Sequence, residues 1–200
     1  KVIYIGNPLL RLVSKKIEVF DEKLREFVEE LSKAMYVEDG VGLAAPQVGV
    51  SKRIFVYDAG EGIRVVINPE FLWKSEETVQ MEEGCLSIPG IYADLFRPSS
   101  VKLRYQDVEG NFHEEELSEY AARIVQHEAD HALGERVVIA VAAASDRGLD
   151  ARLLEALGVA NREVLTAPVA MVDEALTGAL ALPEGHLQGV QGKVGAHVAG

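Results

Sequence analysis

The pentapeptide HEADH at 127–131 constrains the fold of this chain more than any other segment. On an α-helix, His127 and His131 lie one turn apart on the same face, whereas Glu128 is rotated by about 100°. Two imidazoles placed in this way can hold one metal ion, and the glutamate can then reach a water molecule beside it. Because the motif is short, the alternative is two chance histidines on a charged helix.

The residues around the motif predict the helix that it needs. Ser118 is a favourable N-cap, and Gly134 is a typical C-terminal stop. Tyr120 and Ile124 fall on the same stripe as the two histidines. A packed face that carries imidazoles needs partners for them, because a buried polar group without a partner is costly. We therefore predict a buried helix between Ser118 and Gly134.

A catalytic metal site needs a third protein ligand and a position left for water. Cys85, the single cysteine, lies in EEGCLSIPG between β-rich segments. A thiolate with two imidazoles suits Fe(II), Zn or Ni, and metal binding keeps it deprotonated. The alternative is a small buried hydrophobic residue, which is the more common fate of a lone cysteine. His186 and His197 are less attractive ligands because they lie in a weakly patterned tail.

The segment GVGLAAPQVG at 40–49 is rich in small residues. Its glycine spacing does not match a phosphate-binding loop, and no Lys-Ser or Lys-Thr pair follows. A helix C-cap with a tight turn is one interpretation. The other is an oxyanion site, because the Gln47 side chain can donate hydrogen bonds to a developing negative charge.

The rest of the region before the HEADH helix predicts one amphipathic helix and mostly antiparallel sheet. Asp21 is a candidate N-cap for a helix that Gly40 ends, with apolar residues at helical spacing between them. The β-rich segments are 53–58, 63–68, 71–79 and 101–107. The last of these turns at VEGN and returns through FHEEEL, which is typical of a hairpin with a glycine turn.

Three segments together resemble peptide deformylases in order and spacing: GVGLAAPQ at 40–47, EGCLS at 83–87 and QHEADH at 126–131. GNPLLR at 6–11 is similar to the N-terminal signature of the same family. Three collinear motifs that jointly complete a metal site are far more specific than one. The resemblance covers residues 1–134 and implies an α+β core, in which antiparallel strands pack around the metal-binding HExxH helix.

The resemblance implies a role for each matched position. The metal ligands that it implies are Cys85, His127 and His131. Glu128 would be the general acid and base. The donors to the oxyanion would be Gln47 and the backbone N–H of Leu86. An extended peptide would pair with backbone groups, as in β-strand addition, and the residues at its binding site would be Val41, Gly42, Gly84 and, in the methionine pocket, Ile124.

The implied activity is metal-dependent hydrolysis of the N-formyl group from the formyl-methionyl N-termini of nascent polypeptides, with release of formate. The family's usual physiological metal is Fe(II), and Zn, Ni or Co can take the same ligands. Two other functions stay open. One is a zinc peptidase that uses the HExxH helix with a third ligand other than Cys85. The other is a catalytically idle deformylase-like domain that serves binding through its altered C-terminal part.

The family pattern breaks after Gly134. We therefore divide the chain into a catalytic core at 1–134 and a divergent C-terminal segment of unknown role at 135–200. The candidate elements of that segment are a strand at 137–141 and helices near 150–157 and 169–181.

The net charge of −12 argues against nonspecific binding to nucleic acid or anionic membranes, because phosphates attract clustered Lys and Arg. Any ribosome contact would have to be local and transient. The longest apolar run has eight residues, Val137 to Ala144, whereas spanning a bilayer takes about 20. With one cysteine and no hydrophobic region of a signal peptide, we expect a cytoplasmic protein, or an organellar one after removal of a transit peptide.

Overall fold

The computed structural model describes residues 1–4, 7–134 and 198–199 of the chain. The strand expected at 137–141 and the helices expected near 150–157 and 169–181 lie outside these residues. No helix in the described part is both long and apolar enough to cross a bilayer.

Two β-sheets and two α-helices build the described core, so the expected α+β class is confirmed. The helices are α1 (Glu22–Val37) and α2 (Glu119–Leu133). The larger sheet has the strand order β1-β2-β3-β6-β7, and its strands are β1 (Gly42–Ala44), β2 (Ile54–Tyr57), β3 (Arg64–Lys74), β6 (Ser100–Gln106) and β7 (Phe112–Ser118). The smaller sheet has the order β5-β4-β8, and its strands are β4 (Thr78–Cys85), β5 (Ile88–Pro98) and β8 (Val198–Ala199). Short 3₁₀ helices span Pro8–Arg11 and Ala45–Val48.

Helix α1 begins where its sequence predicts and ends earlier than Gly40. The Asp21 side chain accepts a hydrogen bond from the Leu24 backbone N–H at 3.0 Å, as an N-cap does. At the other end Asp39 takes the left-handed conformation, with φ 58°. The Gly40 N–H then donates to the Met35 carbonyl at 2.9 Å, which closes the last turn. Gly40 therefore seals the helix end, although Asp39 makes the left-handed turn.

Strand β3 runs through the break that the sequence predicts between 63–68 and 71–79. Its pairing with β6 shifts register between Ile67 and Glu70, next to the left-handed Asn68 (φ 53°). The Asn68 side chain is held there by hydrogen bonds of 2.8 Å to both the N–H and the carbonyl of Ile17. The single strand predicted over 71–79 is wrong, because β3 ends at Lys74 and β4 begins only at Thr78. The bulge in β3 interrupts the alternation that marks a strand, and the sequence therefore predicts a break after residue 68.

The β4–β5 hairpin is the element that the sequence missed. Cys85 is the last residue of β4, and it pairs with Ile88 across the turn at Leu86 and Ser87. Pro89 lies inside β5, where it is tolerated because β5 is an edge strand of its sheet. The hairpin turn, rather than a loop between strands, therefore places the cysteine.

Alternating residues of β2 pack on the two opposite faces of the larger sheet. Phe55 and Tyr57 belong to the hydrophobic cluster that covers α2, whereas Ile54 and Val56 belong to the cluster that covers α1. All four are at most 3% exposed. Helix α2 is consequently enclosed between the sheets, and every residue from 122 to 132 is buried. The HEADH segment thus lies in the interior, as its helix predicts.

Candidate metal centre and active site

The ligand atoms of Cys85, His127 and His131 converge in the protein interior. One such atom from each residue lies within 4.8 Å of the others. The Cys85 Sγ is 3.3 Å from Nε2 of His131, and all three residues are at most 4% exposed. Helix α2 supplies both imidazoles, and the end of β4 supplies the sulfur.

Several polar atoms at this position are buried and have no hydrogen-bond partner among the described residues. They are Nε2 of His127, Nδ1 of His131 and both carboxylate oxygens of Glu128. Bonds of about 2.3 Å to sulfur and about 2.0–2.1 Å to nitrogen in a tetrahedral site would separate the two atoms by about 3.5 Å. The Sγ to Nε2 distance of 3.3 Å is close to that separation. The residues present therefore fit a divalent cation.

The electrostatics of the two histidines differ because their neighbours differ. Burial, with the charges of His127 and Arg97, holds the pKa of His131 well below its ordinary value. His131 is therefore neutral at pH 7, which is the form that binds metal. Burial also works against a charge on His127, but the Cys85 sulfur and the Glu83 carboxylate raise its pKa well above the ordinary value. The Glu83 carboxylate likewise favours a cation at this position.

Glu83 is a functional candidate that sequence reasoning did not assign. Nδ1 of His127 lies 2.9 Å from Oε2 of Glu83, so this carboxylate fixes the ring and leaves Nε2 facing the other ligands. Burial alone would raise the pKa of Glu83, but hydrogen bonds from His127 and Arg97 lower it to about 2. The only sequence signal was its place at the start of EGCLS, two residues before the cysteine.

Glu128 lies beside the ligands without pairing to them. It is 0% exposed, and burial raises the pKa of its carboxyl group to about 7, against the opposing charge of His127. A group that titrates near neutrality can both accept and return a proton. Gly42 of β1 packs directly against this side chain. The two motifs at 40–47 and 126–131 therefore meet at Glu128.

Gln47 is held with its amide nitrogen towards the cysteine. Its Oε1 accepts a hydrogen bond from the Ala44 N–H at 2.8 Å, and its Nε2 lies 3.7 Å from Cys85 Sγ and 3.4 Å from Ser87 Oγ. Leu86 follows Cys85 directly and is half-buried. The structure thus brings together the two residues that the resemblance assigns to the oxyanion.

The expected peptide-binding residues lie at strand edges or in the core. Val41 precedes β1 and Gly42 begins it, and β1 is an edge strand of the larger sheet. Gly84 lies in β4 and is paired in parallel with Ala199 of β8. Ile124 is 0% exposed and packs in the hydrophobic cluster around α2. In this structure the chain itself therefore covers the β4 edge and the Ile124 side chain.

A sequence model of the family described as polypeptide deformylase matches residues 1–145 of the chain. The chain belongs to the polypeptide deformylase family. The peptide deformylase of Thermotoga neapolitana is 48% identical to it over 155 residues, which is 78% of this chain and 94% of the relative. The Thermotoga maritima enzyme is 44% identical over 155 residues, with the same coverage of both chains.

Solved structures support the same membership. The crystal structure of peptide deformylase from Thermotoga maritima matches with a TM-score of 0.68 at 47% identity, and the match covers 69% of this chain and 94% of that one. A peptide deformylase from Synechococcus elongatus, solved in complex with actinonin, matches with a TM-score of 0.70 at 36% identity, over 79% of this chain and 85% of that one. Both resemblances extend to sequence as well as fold.

Family membership establishes what the chain does. It is a hydrolase that deformylates nascent peptides, and its family uses a divalent metal. The family and the activity predicted from the three motifs are therefore confirmed. The idle domain and the zinc peptidase are not favoured, because the relatives named above are peptide deformylases along most of this chain.

Proposed function

We propose that Cys85, His127 and His131 hold one divalent metal ion, and that this centre hydrolyses the formyl group of formyl-methionyl N-termini and releases formate. The observation that carries the proposal is the approach of the three ligand atoms to within 4.8 Å of one another. Fe(II) is the proposed physiological ion, and Zn, Ni or Co can take the same ligands. A bound cation supplies Lewis-acid chemistry, which makes water nucleophilic near neutral pH and stabilises developing negative charge.

Glu128 is the proposed general base and general acid. It takes a proton from the attacking water and returns it to the departing amine nitrogen. Its two carboxylate oxygens are buried and without partners among the described residues, and its pKa of about 7, raised by burial, suits both transfers. Because Glu128 is fully buried, bulk water does not compete for the proton.

Gln47 and the backbone N–H of Leu86 are the proposed donors to the oxyanion. The Ala44 N–H donates to Oε1 of Gln47 and fixes the side-chain amide. The NH₂ group is therefore already oriented towards Cys85 before substrate binds. Leu86 occupies the tight turn after β4, next to the cysteine. Donors fixed in advance stabilise the transition state without reorganising during the reaction, and loss of one typically costs about 10² to 10³ in rate.

The proposed substrate lies extended between the edge of β1 and the edge of β4, paired with backbone groups of Val41, Gly42 and Gly84. Ile124 would line the pocket for the methionine side chain. The edge position of β1 supports this placement, and so does the pairing of Gly84 with Ala199, which shows that this β4 edge accepts another strand. A peptide that pairs at Gly84 must displace the Val198–Ala199 backbone.

The proposed partners are the formyl-methionyl N-termini of nascent peptides, and any ribosome contact is transient and local because the chain carries a net charge of −12. We propose no nucleic-acid or membrane partner. The reaction takes place where formylated chains are made, in the cytoplasm or in an organelle. An Arabidopsis thaliana relative named peptide deformylase 1B, chloroplastic/mitochondrial, is 42% identical over 139 residues. Residues 1–134 are the proposed catalytic core, and 135–200 a divergent segment.

Formate release from formyl-Met-Ala-Ser by the metal-loaded full chain tests the proposal. We expect turnover by the wild type and a loss of about 10² to 10⁴ in Glu128→Ala at unchanged metal content. The matched control is Glu114→Ala, which removes an exposed carboxylate of β7. Wild-type turnover by Glu128→Ala would exclude the proposed role of Glu128.

Two further results separate the rivals. Metal binding without formate release by the wild type would indicate an idle domain. A Cys85→Ser variant that keeps its metal would indicate a different third ligand, as in an ordinary zinc peptidase. We expect Cys85→Ser to lose the metal.

A further inference from the structure

Four charged side chains are buried together between α2 and the β4–β5 hairpin. They are Glu83, Arg97, Arg123 and Asp130, and no side chain among them is more than 11% exposed. Their charges sum to zero, with one carboxylate and one guanidinium from the hairpin and one of each from the helix. The cluster therefore joins the element that carries Cys85 to the element that carries both histidines.

The Glu83 carboxylate accepts four hydrogen bonds, which is about its full capacity. Oε1 accepts from Arg97 Nε at 2.6 Å and from Arg123 Nη1 at 2.8 Å. Oε2 accepts from Arg97 Nη2 at 2.9 Å and lies 2.9 Å from Nδ1 of His127. Because the two arginines occupy three of the four positions, the oxygen that faces His127 is fixed in place.

Arg123 also forms hydrogen bonds to groups other than Glu83. Its guanidinium also donates to the Leu95 carbonyl at 3.0 Å and to the Val79 carbonyl at 2.5 Å, so it contacts both strands of the hairpin. It lies four residues before His127, on the same face of α2. The rigid fork of donors that arginine carries suits this three-way attachment, which the single ammonium of lysine cannot reproduce.

We infer that Arg123 is a positioning residue for the metal centre, which fixes the His127 ring by holding Glu83 and thereby controls how long the centre keeps its metal ion. The inference rests on the proposed metal site. A carboxylate behind a ligating histidine sets the orientation of the ring, and its loss typically costs about 10- to 100-fold in metal affinity or activity. Among the described residues the Arg123 guanidinium donates hydrogen bonds to Glu83, Leu95 and Val79 and to none of the three proposed ligands, so the effect of the side chain passes through Glu83.

The test is the rate at which the Co(II)-loaded full chain loses metal to excess EDTA, followed by the visible absorption of Co(II) bound to thiolate. We compare wild type, Arg123→Met, Glu83→Gln and the double variant. Each single substitution should speed metal loss by about 10- to 100-fold. The double variant should lose metal no faster than Glu83→Gln, because Arg123 acts on the His127 ring only through Glu83.

Arg64→Met is the matched control. Arg64 forms an ion pair of 2.7 Å with Glu115 in the larger sheet, so its loss removes an arginine–carboxylate pair of similar length, although a more exposed one, away from the cluster. This variant should keep the wild-type rate of metal loss. A merely structural role for Arg123 would lower the melting temperature without changing that rate in the folded protein.

Metal retention in Arg123→Met equal to that of the wild type would overturn the inference, and so would additive effects in the double variant. If Arg123→Met does not fold, Arg123→Lys decides, because it keeps the positive charge and loses the fork. Faster metal loss in Arg123→Lys supports the inference, and a wild-type rate overturns it. A wild-type chain without thiolate absorption would instead overturn the proposed metal site, and the inference with it.

Discussion

Gly42 and Glu128 approach so closely that a Cβ on Gly42 would lie 2.5 Å from Oε1 of Glu128. Real Cβ atoms essentially never come this close, so any larger residue has to push the carboxylate aside. Gly42 has no left-handed backbone requirement, and its constraint is therefore one of space. Gly42, in the motif at 40–47, therefore constrains the position of the proposed general base.

Gly42→Ala should lower kcat/KM for formyl-Met-Ala-Ser by about 10²-fold, because a displacement near 1 Å of a catalytic group costs about that much. Bound metal should stay at the wild-type level, since the three heavy atoms nearest to a Cβ on Gly42 all belong to Glu128, which is not a proposed ligand. Gly62→Ala is the control: a Cβ there meets nothing within 4 Å, although its φ of 97° strains any substitution. Equal activity of Gly42→Ala and wild type would show that the carboxylate position does not matter.

Gln47→Ala should lower kcat by about 10² to 10³ with little change in KM, because the lost donor acts on the oxyanion and not on the bound substrate. Steady-state kinetics with the metal-loaded chain measure both constants. Ser87→Ala removes the other polar neighbour of the Gln47 amide, 3.4 Å away, and should stay near wild type. A rise in KM at constant kcat would assign Gln47 to substrate binding instead.

Asp130→Asn should lower the free energy of unfolding by about 1.5–3 kcal/mol, because it weakens a buried hydrogen bond between charged groups. The interaction concerned joins Arg97 Nη1 to Asp130 Oδ2 at 2.8 Å, with both side chains 11% exposed. The melting temperature should fall by about 2–4 °C for each kcal/mol of lost stability in a chain of this size. Glu114→Gln, which disrupts an exposed ion pair with Arg104, should melt with the wild type. A wild-type Tm for Asp130→Asn would show that the Arg97–Asp130 pair contributes nothing to stability.

The iron form should lose activity in air faster than the nickel or zinc form. At the proposed site Fe(II) would react with oxygen beside a Cys85 thiolate, and a thiolate is readily oxidised to sulfenic and higher acids. Half-lives of formate release, measured in air and under argon for each metal form, check this. Equal half-lives in air for the three forms would contradict it.

Local signals made both helices predictable. Asp21 caps α1 through its side chain, Ser118 marks the start of α2 without a side-chain capping hydrogen bond, and Gly134 takes the left-handed C-cap of α2, with φ 68°. Caps and helical periodicity involve neighbours within a few residues, so a sequence shows them directly. The candidate site residues were assigned for a different reason, because three short motifs resemble one family, and the structure brings the ligand atoms of Cys85, His127 and His131 together.

The β4–β5 hairpin and the role of Glu83 were not predictable because they depend on distant contacts. Pro89 and Gly90 suggest a turn, yet both lie in β5, an edge strand whose pairing a local pattern does not reveal. Glu83 contacts His127, 44 positions along the chain. Such a contact leaves no period or spacing in the sequence. The pairing of β4 with Val198–Ala199 is equally remote.

X-ray absorption at the zinc edge of the Zn-loaded full chain is the most direct measurement of the proposed metal centre. We predict a first shell with one sulfur at about 2.3 Å, from Cys85, together with nitrogen or oxygen at about 2.0–2.1 Å and the outer-shell scattering of two imidazoles. Cys85→Ser should retain little zinc, and any zinc that it keeps should show no sulfur in its first shell. A wild-type first shell without sulfur would contradict the account, because His127 and His131 would then bind the ion without Cys85.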